Sequence, residues 1–143
     1  MSVCVFFGHR DCDDDVKPLL LKTIETLILD HDVRQFYVGN HGRFDSMALQ
    51  ILRKMREKYP EIEYSVVLTR IPTKTAQGDY DAYETSVPEG VEQVPPRFAI
   101  SFCNHWMLQR ATHVIAYVTR SYGGASQFVK KAYKMNKTVI NIA

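Results

Sequence analysis

Five short apolar runs, spaced by segments of helical periodicity, constrain the fold of this chain more than anything else in it. Val3–Phe7 reads VCVFF, an unbroken apolar run suited to a strand buried on both faces of a parallel sheet. Gln35–Val38, Ile62–Leu68, His113–Val118 and Thr138–Ile142 are the other strand candidates. Between them Val16, Leu19, Leu20, Ile24, Leu27 and Ile28 recur at helical spacing, as do Phe44, Met47, Ala48, Ile51, Leu52 and Met55. Two more helices are predicted, one from Arg97 to Arg110 and one carrying Ala125, Phe128, Val129, Ala132 and Tyr133. The order is β-α-β-α-β, an irregular excursion, then α-β-α-β. Such alternation predicts an α/β, three-layer Rossmann-like fold: a mostly parallel five-stranded sheet with helices on both faces.

The excursion, about residues 70–96, holds Pro72, Gly78, Pro88, Gly90, Pro95 and Pro96 and no sustained period. A stretch this long without regular structure usually serves function. It is expected to run over a ligand cleft, with a short helical turn around Tyr80–Glu84. The whole chain, 1–143, is the length of one domain. A domain of this size buries roughly two-thirds of its unfolded surface, enough for a core without staples.

Eighteen basic against sixteen acidic residues give a net charge of +2, too balanced for a non-specific nucleic-acid binder. Nucleic acid is therefore not an expected partner. The cysteine count is odd and Cys4 lies within an apolar strand, which reads as reduced thiols and a cytoplasmic location. Met1–Gly8 lacks the pattern of a signal peptide, and no apolar run approaches about 18 residues, so no membrane partner is expected.

Function is most legible at three glycine-bearing turns, each after a strand. These are Gly8-His9-Arg10, Gly39-Asn40-His41-Gly42-Arg43-Phe44-Asp45 and Arg120-Ser121-Tyr122-Gly123-Gly124-Ala125. Glycine lets backbone N–H groups approach a ligand, and a following helix adds the positive end of its dipole. Together they make anion sites, most often for phosphate. In a parallel sheet all three open on the edge formed by the carboxyl ends of the strands, where ligands bind.

At these same turns FFGHRD, VGNHGRFDSMAL, YVTRSYGGASQFVKKA and the terminal KTVINIA resemble the YpsA-like branch of the SLOG superfamily. That superfamily groups the DNA-processing Smf/DprA proteins with the cytokinin-activating LOG enzymes. The resemblance runs from Cys4 to Ala143. It implies a Rossmann-like fold and a site for nucleotides or nucleotide-derived signals, without fixing a reaction. The LOG signature Pro-Gly-Gly-x-Gly-Thr-x-x-Glu is replaced by Ser121-Tyr122-Gly123-Gly124-Ala125-Ser126-Gln127, which lacks its Pro, third Gly, Thr and Glu. LOG-type hydrolysis is accordingly not the leading expectation.

The candidate ligand-binding residues are Gly8, His9, Arg10, Gly39, Asn40, Gly42, Arg43, Asp45, Arg97, Arg120, Ser121, Gly123, Gly124, Ala125 and Ser126. Free N–H groups of Gly124, Ala125 and Ser126 would hold phosphate, with Arg10 or Arg120 adding charge. Arg10 has an alternative role in a salt bridge within Asp11–Asp15. Asp45 either caps its helix or accepts a ribose hydroxyl. His9 is a proton donor or, more simply, a structural hydrogen-bonding group. Arg97 is a cation set against a helix dipole. Tyr80, Tyr83 and Tyr122 are stacking candidates, whereas Trp106 reads as core. For catalysis only Asp45, Glu84 and His9 are available as acid or base. His9-x-x-Cys12 and Cys103-x-His105 match no metal-site spacing, and neither metal nor cofactor is expected. The expected function is binding of a nucleotide-like small molecule, with a homo-oligomer as partner; the alternative is a nucleotide hydrolase.

Overall fold

The computed structural model describes residues 2–71 and 84–143. Its parallel sheet has six strands: β1 (Val3–Gly8), β2 (Gln35–Val38), β3 (Glu63–Val67), β4 (Thr85–Ser86), β5 (His113–Tyr117) and β6 (Thr138–Asn141). They lie in the order β4-β3-β2-β1-β5-β6. The expectation of five strands is corrected by β4, whose two residues pair with Val66 and Val67 at the edge of the sheet. The helical turn expected at Tyr80–Glu84 falls almost entirely outside the described residues.

Helices α1 (Lys17–Asp30), α2 (Arg43–Lys58), α3 (Pro96–Arg110) and α4 (Gly124–Lys134) cover the two faces. Strand β1 shows how the side chains are sorted between them. Cys4 and Phe6 point into the core beneath α1 and α2, with Leu20, Ile24, Met47 and Ile51. Val3, Val5 and Phe7 point into the opposite core, with Met107, Leu108, Phe128 and Ala132 of α3 and α4. A strand buried on both sides must be apolar at every position, as VCVFF is.

Helix starts follow local chemistry. Asp13 accepts the Asp15 N–H and caps a single 3-10 turn, Asp14–Val16, ahead of α1. Pro96 opens α3, where its missing N–H costs nothing. Among the described residues no helix is long and apolar enough to cross a membrane.

The crossovers run outward in both directions from the centre. From β1 the chain passes through β2 and β3 to β4, then returns to place β5 on the other side of β1. The point where the order reverses lies between β1 and β5, and a crevice opens there beyond the strand ends.

Candidate functional site

Three hydrogen bonds and one close approach tie the three glycine turns together. The His9 N–H donates to the Tyr117 carbonyl at 3.2 Å, prolonging the β1–β5 ladder. The Arg43 N–H donates to the Arg10 carbonyl at 2.9 Å, joining the first turn to the second. The Thr119 N–H donates to His9 Nε2 at 3.0 Å, joining the first turn to the third. Gly42, at φ +114°, lies so near Arg10 that a Cβ there would fall 2.5 Å from the Arg10 Cα. The β1 turn is thus the hub that fixes the other two.

A cavity of about 270 Å³ lies where the turns meet. Gly8, His9 and Arg10 line it from β1, His41 and Asp45 from the β2–α2 turn, and Arg120, Gly123, Gly124 and Ala125 from the β5–α4 turn. Ile100 and Asn104 of α3 complete the wall. Gly123, at φ +97°, caps α4 with no side chain bonded to the helix start. A Cβ on Gly123 or Gly124 would meet nothing within 4 Å. The positive end of α4 therefore faces open space, the arrangement expected of an anion site.

Charge at the cavity is divided unequally. Arg43 is held by Asp14 and Arg120 by Asp11, the latter at 3.2 Å. With those carboxylates occupied, Arg10 has no ion-pair partner among the described residues. The salt bridge within Asp11–Asp15 considered for Arg10 is not formed. Arg120 also carries a buried Nε without a hydrogen-bond partner among the described residues, as does His41 at Nε2.

Asp45 reaches back from the first turn of α2 to accept the His41 N–H at 3.0 Å, a variant of the capping box. Burial pushes its carboxyl up to about 7, against the opposing pull of the His41 N–H and the Arg10 charge. Gly39 accommodates this carboxylate, for its Cβ would lie 2.9 Å from Asp45 Oδ2. His9 is buried, and its basicity is lowered by burial first and by Arg120 second, with Asp11 opposing. Since Nε2 accepts a hydrogen bond, the neutral ring carries its proton on Nδ1. Its firm bond to Thr119 is the structural role foreseen as the simpler one.

A second cavity, of about 500 Å³, adjoins the first beyond β2 and β3. Asn40 and His41 form one side, Leu68, Thr69 and Arg70 the floor after β3, and Val91, Glu92, Val94, Pro96 and Ala99 the far wall. The end of the irregular excursion thus borders the cleft. His41 is shared by both cavities.

Several expected residues lie elsewhere. Glu84 is buried and clamped by Arg53, with Nε–Oε1 at 2.9 Å and Nη2–Oε2 at 3.1 Å, and it accepts the Tyr64 hydroxyl. It lines neither cavity, so its proposed role as a base has no geometry behind it. Arg97 stacks over Phe98 at 4.8 Å instead of facing the cleft. Ser126 is buried on the inner side of α4. Ser121 offers its carbonyl to Lys130 Nζ at 3.0 Å. Gly8 does border the cavity, but its lack of a side chain is required by packing: a Cβ would sit 2.2 Å from the Phe44 ring. Gly39, Gly42 and Arg43 shape the turn without lining either cavity.

Trp106 is half-buried at the margin of the α3–α4 core, edge-on to Tyr37 with ring centroids 5.2 Å apart and with the Arg110 guanidinium over its ring. Tyr122 is 71 % exposed. Tyr80 and Tyr83 lie outside the described residues. Among those residues no three His, Cys, Asp or Glu side chains gather closely enough to hold a metal ion.

No family model matches the chain, and no curated protein matches it either. Among solved structures it is similar to DNA processing protein A (DprA) from Streptococcus pneumoniae, with a TM-score of 0.68 and 14% identity. The match covers 97% of this chain and 49% of that one, so the chain spans about half the length of its structural neighbour. At this identity the likeness is one of fold, and it agrees with the Rossmann-like α/β architecture expected from the sequence.

Proposed function

We propose that this domain binds a nucleotide or nucleotide-derived phosphate ligand at the carboxyl edge of its sheet, as a member of the SLOG superfamily close to its YpsA-like branch. The observation that carries the reading is the meeting of three crossovers around one cavity that presents a bare helix start and an unpaired arginine. Phosphate would rest on the N–H groups of Gly124 and Ala125, with Arg10 as counter-charge. The Gly39–Asp45 turn would receive the ribose. Binding alone has no output, so the reading includes self-association. The reducing compartment expected from the cysteines is compatible with all three being free and buried.

The test is mass spectrometry of small molecules that co-purify with the protein, followed by calorimetric titration of whatever is found. A phosphorylated nucleoside derivative bound one per chain supports the reading, and a protein that retains and binds no such compound overturns it.

A second reading, hydrolysis of an N-glycosidic or phosphate bond, is favoured by one observation. Asp45 lines the cavity with a carboxyl raised to about 7, which suits proton transfer near neutral pH. Release of free base or phosphate from a nucleotide panel, abolished in Asp45→Asn, would move the assignment from sensor to enzyme.

A further inference from the structure

The two cavities are not separate sites. His41 stands on the wall between them, its backbone pinned by the Asp45 carboxylate at 3.0 Å and its Nε2 buried without a partner among the described residues. The smaller cavity carries the charge, through Arg10, Arg120 and the α4 start. The larger one has a different chemistry. Leu68, Val91, Val94, Pro96 and Ala99 give it apolar walls, while Asn40 and Thr69 supply polar groups and Arg70 and Glu92 a charge of each sign. A cleft with apolar walls, a few polar groups and charges of both signs suits a flat heteroaromatic ring better than a phosphate.

Resting on the reading above, we infer that the ligand straddles both cavities, with its nucleobase in the Leu68–Ala99 cleft and His41 as the residue that discriminates a nucleotide from a bare sugar phosphate. A sugar phosphate fills only the charged cavity. A nucleotide also passes His41, the residue that lines both cavities, and gains the larger cleft. Contact with His41 and the cleft beyond it is a gain open to the nucleotide and not to the truncated ligand, so removing it lowers nucleotide affinity and leaves ribose 5-phosphate affinity unchanged.

The experiment is calorimetric titration of the full chain with the four common nucleoside 5′-monophosphates, ribose 5-phosphate and inorganic phosphate. At least one nucleotide is expected to bind about tenfold or more tighter than ribose 5-phosphate. His41→Ala is expected to reduce that ratio to about threefold or less while ribose 5-phosphate affinity changes by no more than about twofold, and His41→Gln, which restores a polar terminus, to recover part of it. Thr69→Trp, which blocks the cleft from a loop position, provides an independent arm with the same expected loss. A wild-type ratio near one, or a ratio preserved in both His41→Ala and Thr69→Trp, overturns the inference. Gly124→Asp separates the two levels of argument. If it abolishes all binding while His41→Ala and Thr69→Trp still discriminate, the phosphate site stands and the base cleft falls. If Gly124→Asp binds normally, or the wild type binds none of the probes, the phosphate assignment itself falls.

Discussion

Gly124→Asp should separate folding from binding, because the same carboxylate acts in opposite directions on the two. Gly124 is the first residue of α4 and its added Cβ would meet nothing within 4 Å, so the substitution creates no clash. Its φ lies outside the left-handed region, so backbone strain is absent. An acidic residue in a first helical turn stabilises by about 0.3–1 kcal/mol. Replacing glycine contributes about 0.4–1 kcal/mol more by restricting the unfolded chain. Thermal unfolding should therefore occur at an unchanged or higher temperature. Binding should fail. A carboxylate about 5 Å from a bound phosphate, at an effective dielectric constant of about 20, repels it by about 3 kcal/mol per pair of unit charges. That is about a hundredfold loss of affinity. Calorimetric titration and a thermal melt on the same sample read both effects. A folded variant that binds within about threefold of wild type would refute the placement of phosphate on α4.

Other consequences concern single residues. Gly8→Ala drives a methyl into the Phe44 ring at 2.2 Å and should cost about 1–3 kcal/mol by denaturant titration, partly recovered when Phe44→Leu is added. Glu84→Ala removes a carboxylate whose side chain is only 7% exposed, but Arg53 is 41% exposed, so the loss should be about 1–3 kcal/mol, with nucleotide affinity unchanged. For Asp45 the folded carboxyl titrates near 7, above its ordinary 3.8, so the folded state holds a proton that the unfolded chain has already released. The stability this provides is complete below pH about 4 and is lost as pH rises through about 7. Asp45→Asn should remove that slope from a series of unfolding curves, and should also remove the fall in phosphate-ligand affinity expected in wild type above pH about 7. A labelled single-stranded oligonucleotide should not be retained at ~150 mM salt, given a net charge of +2.

The sheet and its helices were legible because burial on two faces writes a strand as an unbroken apolar run, and Val3–Phe7 is such a run. Strand β4 was not legible. Two residues, Thr85 and Ser86, carry no period, and their pairing with Val66 and Val67 depends on a long connection. The α4 start was readable from Gly123-Gly124, since only a glycine takes φ +97° without strain. Gly8 lines the cavity, but what forbids it a side chain is Phe44, 36 positions along the chain, which no local pattern shows. Charged residues were the least legible. Whether Arg10, Arg43 or Arg120 is left unpaired depends on which of them reaches Asp11 and Asp14 in space. That the excursion borders a cleft was legible from its length and lack of period, but the lining was not, as it comes from residues 40–41, 68–70 and 91–99, which meet only in the fold. The one available signal was Asn40-His41 lying between two glycines.

Amide NMR of the labelled chain, titrated with the nucleotide it binds best, would test the convergence of the three turns in a single measurement. Saturable shifts are expected in three separate stretches, around Gly8–Arg10, Gly39–Asp45 and Arg120–Ser126, with weaker ones near residues 68–70 and 91–99. Shifts centred on the opposite edge of the sheet, at His31 and His113, or limited to one of the three turns, would contradict it.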